Sequence, residues 1–137
     1  MIVDTSGLLA AFDPDERTHQ ACAAALAGSI TQPVVSPFVI AELDYLITRK
    51  RGVSDELTAL RHLAGGAYQI AEFGEVDLEQ AAAVIENYRD LRIGVADASI
   101  VVLADRHDTT DILTLDERHF RAMTSLAGQP FRLHPLD

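Results

Sequence analysis

Short apolar runs rich in β-branched residues alternate along this chain with longer stretches of helical periodicity. The short runs predict strands at Met1 to Asp4, Pro33 to Ser36, Tyr68 to Phe73, Asp111 to Leu115 and, as a final edge, Phe131 to Leu133. Between them, helices are expected at Ser6 to Phe12, about Glu16 to Ala27, Pro37 to about Lys50, Ser54 to Leu63, Asp77 to Asp90 and Val95 to Arg106, with a helical turn from Glu117 to Met123. Ser36-Pro37 is a strong helix start, because serine can cap the first free N–H groups and proline lacks the N–H that would have no partner there. Gly52 and Gly65-Gly66 bracket the Ser54 helix, giving a helical hairpin that projects from the sheet. Strand–helix alternation of this kind is the pattern of parallel βαβ units with right-handed crossovers, so the fold class is α/β.

Four of these elements deliver an acid. Asp4 follows Met1-Ile-Val, Glu42 lies on the helix after Pro33-Val-Val-Ser, Asp97 follows Ile93-Gly-Val-Ala, and Asp116 follows Ile112-Leu-Thr-Leu. Ligands of open parallel sheets bind beyond the carboxyl ends of the strands, which is where these acids should meet. On the Glu42 helix, at about 100° per residue from Phe38, Val39, Ile40, Leu43, Leu46 and Ile47 fall between about 80° and 200°. Glu42, at about 40°, borders that core stripe, whereas Asp44 at about 240° reads as surface.

Singly, each acid has a bland explanation: Asp97 or Asp116 as a helix cap, Glu42 as a charge favoured by the helix dipole. Asp4 is harder to dismiss, since an acid straight after a buried strand is desolvated and capping offsets only part of that cost. Together, four like charges at one sheet edge repel unless cations or raised pKa values neutralise them. Thr5, Ser6 and Thr114 supply hydroxyls that could support the carboxylates.

A chain of 137 residues, 48% hydrophobic, suits one domain over residues 1–137 and leaves no room for two. Eleven Lys and Arg against 21 Asp and Glu give a net charge of −10, so any contact with a polyanion must be local. Arg49-Lys50-Arg51 at a helix end and Arg118 and Arg121 around Asp116 are the usable cations, since arginine forks bond phosphate bidentately. The first cluster could equally complement the helix dipole. The single cysteine, Cys22, excludes an internal disulfide and offers no zinc signature. No basic leader and no apolar run near the ~18 residues of a membrane span are present, so a cytoplasmic location without membrane contact is expected. His19, His62, His107, His119 and His134 are scattered and receive no catalytic role, His119 least securely because it adjoins Asp116.

Ile2-Val-Asp4-Thr-Ser6, Ser36-Pro-Phe-Val-Ile-Ala-Glu42-Leu, Gly94-Val-Ala-Asp97-Ala and Leu113-Thr-Leu-Asp116-Glu-Arg-His-Phe120, in this order, resemble the PIN-domain nucleases and among them the VapC toxins of toxin–antitoxin pairs. The resemblance implies a three-layer α/β/α domain around a parallel sheet of about five strands. It also implies a Mg²⁺- or Mn²⁺-dependent endoribonuclease with one or two ions per site, a homodimer, and a VapB-like antitoxin partner. Asp4, Glu42, Asp97 and Asp116 then correspond to the catalytic, metal-holding acids and Ser6 to a supporting hydroxyl, beside which Thr114 is a second hydroxyl candidate from the sequence. With RNA as the implied substrate, Arg49 and Arg118 are the candidates for RNA binding. Glu117 departs from the pattern and competes for the place given to Asp116.

The residue types agree with that chemistry, because Mg²⁺ prefers oxygen ligands and a cation so held activates water for attack on a phosphodiester. Products with a 5′-phosphate and a 3′-hydroxyl are expected. A receiver domain would need a late strand-end lysine, and Lys50 is the only lysine; a haloacid-dehalogenase-like phosphatase would need an acid where Ser6 stands. The remaining alternative is an inactive PIN-like module that binds RNA or protein. Leu8, Leu9 and Phe12 with Leu57, Leu60 and Leu63 suggest an apolar groove for an antitoxin helix.

Overall fold

The computed structural model describes all residues 1–137. Five strands, β1 (Ile2–Val3), β2 (Val34–Val35), β3 (Gln69–Ile70), β4 (Asp111–Leu113) and β5 (Arg132–His134), form one sheet in the order β3-β2-β1-β4-β5. Every pairing is parallel, with Val3 opposite Val35 on one side and Leu113 on the other. The chain moves outward from β1 to β3, then crosses to β4 on the other side of β1. Strand order therefore reverses between β1 and β4, and a crevice at the carboxyl ends of those two strands is the natural ligand site of such a sheet.

Seven helices cover the sheet: α1 (Thr5–Phe12), α2 (His19–Ala27), α3 (Pro37–Arg51), α4 (Val53–Ala64), α5 (Glu75–Asn87), α6 (Val95–Arg106) and α7 (Glu117–Phe120). Ser36 caps α3 by accepting from Phe38 N, and Gly52, at φ 88°, ends it in a left-handed conformation that suits glycine. Helix α4 then folds back on α3 as the hairpin. Helix α6 is buried along almost its whole length, from Ala98 to Ala104, so the acid near its start is carried on a fixed support. No helix is long and apolar enough to cross a membrane.

Several boundaries differ from expectation. The expected strand from Tyr68 to Phe73 pairs only at Gln69 and Ile70, both exposed on the sheet edge, because only β2 lies beside it. Helix α2 starts at His19 instead of Glu16, since Asp13 accepts from Asp15 N and holds residues 13–18 in turns. Helix α5 starts two residues early, where Asp77 Oδ2 accepts from Gly74 N and completes its first turn. Leu8 and Leu63 belong to the core and leave the apolar groove to Leu9, Phe12, Ile47 and Ala59. Gly7 is required by packing: a Cβ there would stand 2.7 Å from Leu113 Cγ and 2.8 Å from Leu113 O, so α1 can rest on β4 only without a side chain at that position.

Candidate active site

Asp4 ends β1 and caps α1, and it is only 6% exposed. Its Oδ2 accepts from Ser6 Oγ at 2.6 Å and from Thr114 Oγ1 at 2.8 Å. Each hydroxyl also accepts a backbone N–H from the chain after β4, Ser6 from Leu115 at 2.9 Å and Thr114 from Asp116 at 2.9 Å. Ser6 and Thr114 thus stitch the ends of β1 and β4 together around one carboxylate oxygen. Asp4 Oδ1 accepts no protein hydrogen bond and stays available to a ligand.

Asp97 lies in the first turn of α6, beyond the cap residue Gly94, and caps nothing itself. Its pKa is pushed up to about 6, first by burial and then by the charge of Asp4, with Asp116 and Glu42 adding to the rise and His119 opposing it. Burial and then Asp4 raise Glu42 as well, while Thr5 Oγ1, 3.4 Å from Glu42 Oε2, opposes. All four acids therefore share one electrostatic environment at the reversal point of the sheet. Glu42 stands on its open side, on the exposed margin of α3.

Asp116 does cap α7, accepting from His119 N at 3.1 Å through Oδ1, but its Oδ2 faces the cluster. His119 Nδ1 lies 2.9 Å from that Oδ2 and 3.2 Å from Asp97 Oδ2, a buried nitrogen at ion-pair distance but without the alignment of a hydrogen bond. His119, to which the sequence assigned no catalytic role, thus lies beside Asp97 and Asp116 within the cluster. The available signal was its spacing of three from Asp116 on a helical turn, which puts both on one side. Glu117 pairs instead with Arg121 at 3.2 Å, so of the two neighbouring acids it is Asp116 that reaches His119 and the cluster.

The cations divide. Lys50 and Arg51 converge on the buried Asp13, with Glu16, Asp15 and Asp55 as further partners, so they anchor the loop after α1. Arg121 is held by Asp137 as well as by Glu117. Arg49 bonds only Tyr45, and the exposed Arg118 has no acidic partner, so these two remain available to an anion.

As they stand, no three His, Cys, Asp or Glu side chains are closed into metal-ligating geometry. The donor set still fits a hard cation: four carboxylates, a free oxygen on Asp4, and a proton affinity at Asp97 raised by burial and then by its neighbours' charge, which a cation would offset.

The PIN domain family matches residues 1–125 of the chain. Ribonuclease VapC26 of Mycobacterium tuberculosis is 51% identical over 135 residues, covering 98% of this chain and all of that protein. Among solved structures, VapC20 of Mycobacterium tuberculosis, described as a sarcin-ricin loop cleaving toxin, superposes with a TM-score of 0.78 at 17% identity, over 85% of this chain and 90% of that one. A toxin–antitoxin complex from Klebsiella pneumoniae gives 0.69 at 18% identity, over 90% and 92%. At such identities the superpositions speak for the fold alone. With the family matched over nearly the whole chain and half of all residues shared with a VapC protein, this chain belongs to the PIN-domain family, among its VapC members.

Proposed function

We propose that this protein is the toxin of a toxin–antitoxin pair, an endoribonuclease that hydrolyses RNA phosphodiesters with Mg²⁺ or Mn²⁺. The observation that carries the reading is the convergence of Asp4, Glu42, Asp97 and Asp116, recorded in the charge each adds around Asp97. The relative that shares half its residues is named a ribonuclease, which supports the same reading. Asp4, Asp97, Glu42 and Asp116 would hold the cation, which when bound activates a water for in-line attack and stabilises the leaving oxygen. Ser6 and Thr114 fix the Asp4 carboxylate, and Arg118 and Arg49 offer guanidinium groups to the phosphates beside the one being cut. A homodimer and a basic, VapB-like antitoxin complete the proposal, the latter suited to a protein of net charge −10.

Purified protein should cut a fluorogenic RNA in Mg²⁺ or Mn²⁺ and stop in EDTA, and Asp4→Asn should lose at least about a hundredfold in rate. Equal cleavage in EDTA, or wild-type cleavage by Asp4→Asn, overturns the reading.

A further inference from the structure

Tyr45 is the only exposed aromatic residue of the protein, at 57%, and it stands three residues beyond Glu42 on α3. That spacing places the two side chains on one helix face with Cβ atoms about 5–6 Å apart. Arg49 continues the same stripe one turn further. Its Nη1 donates to Tyr45 Oη at 2.5 Å, and its guanidinium carbon lies 5.4 Å from the centre of the Tyr45 ring. Tyr45 is thereby oriented by a cation that, unlike Lys50 and Arg51, owes nothing to an acid. With Leu9, Glu16, Leu46 and Lys50 the pair lines a groove of about 350 Å³, within the size range of ligand pockets.

An exposed ring beside a free guanidinium, one turn from a carboxylate cluster that handles phosphodiesters, has the two parts from which single-stranded nucleic acid sites are built: a stacking platform and a phosphate contact. A basic peptide is the poorer occupant, because it would meet Arg49 as a like charge. We infer that Tyr45 and Arg49 form a nucleotide subsite, in which a base splayed out next to the scissile phosphate stacks on the Tyr45 ring and the phosphate attached to it bonds to Arg49. The inference rests on the ribonuclease reading above and deepens it: the substrate is RNA with an unpaired base beside the cut, not a continuous duplex.

The test uses an oligoribonucleotide that the wild type cuts, with abasic nucleotides placed one position at a time around the cleavage point. Tyr45→Ala raises KM about tenfold with little change in kcat, as expected for a lost base–aromatic stack, and Tyr45→Phe stays near wild type. On the RNA whose stacking nucleotide is abasic, wild type and Tyr45→Ala become equal. With cleavage stopped by EDTA, a 2-aminopurine at that position loses fluorescence on binding to the wild type and keeps it with Tyr45→Ala. An unchanged KM for Tyr45→Ala, an equal loss on every abasic RNA, or a Tyr45→Ala protein that cuts normally but no longer binds its antitoxin overturns the subsite. Those outcomes leave the ribonuclease reading standing, since the wild type still cuts; absence of cleavage by wild type in Mn²⁺ removes both.

Discussion

Asp97 joins the geometry of the cluster to a measurable consequence. Its folded pKa, about 6, lies above the ordinary 3.8, so protonation favours the folded, metal-free protein. The sign follows from linkage: this contribution to stability is complete below about pH 4 and is lost as the pH rises through about 6. Asp97→Asn should therefore stabilise EDTA-treated protein at neutral pH, by no more than about 2 kcal/mol once solvent at the rim is allowed for, and raise its melting temperature. The gain should vanish near the unfolded pKa, and the variant should not cleave RNA. Melting curves at the two pH values check this, and a variant less stable than wild type at both contradicts it. Asp4 and Asp116 were legible in the sequence because each follows an apolar strand, β1 or β4, while Glu42 and Asp97 were legible as acids near the starts of helices. The run before Asp97, expected as strand and turn, instead opens α6. His119 was not legible, because a lone histidine carries no such signal and its proximity to Asp97 arises only when α6 and α7 meet.

Among the elements, the junction of α1 with β4 sets the site, and Gly7 permits it. The first turn of α1 carries Asp4, Ser6 and Gly7, and Gly7 lies against the Leu113 backbone while Ser6 bonds Leu115 N. Gly7→Ala should destabilise the protein by about 1–3 kcal/mol through overpacking and shift Asp4 relative to Thr114. Stability in denaturant and the cleavage rate should fall together; a Gly7→Ala variant as stable and active as wild type would show that the contact yields cheaply. The succession of strands and helices along the chain follows from the alternation of periods, and α6 keeps its expected limits, Val95 to Arg106. Element ends were less legible because tertiary partners set them. β1 and β2 pair over only two residues each, and α2 waits until His19 because Lys50 and Arg51, far along the chain, clamp Asp13.

Across the whole molecule, a net charge of −10 leaves Arg49 and Arg118 as the acid-free cations of the two clusters flanking the acidic centre. The groove lined by Leu9, Phe12, Ile47 and Ala59 and edged by Asp13 and Asp55, about 310 Å³, has room for a few apolar side chains of the antitoxin helix of the proposed function, and a basic antitoxin bound there should abolish cleavage. Titration of the antitoxin against RNase activity checks this; full activity in the saturated complex contradicts it. A cation that binds only the folded state should also stabilise it, by about 2.7 kcal/mol at 100 times Kd, and EDTA should reverse the rise in melting temperature. Titrating Mn²⁺ into EDTA-stripped protein by calorimetry tests the central claim, that four acids from separate elements form one cation site. The expected result is saturable binding that Asp4→Asn abolishes, with protons released near pH 6 by the wild type and not by Asp97→Asn. Absence of saturable binding at millimolar Mn²⁺, or equal binding by Asp4→Asn, would contradict it.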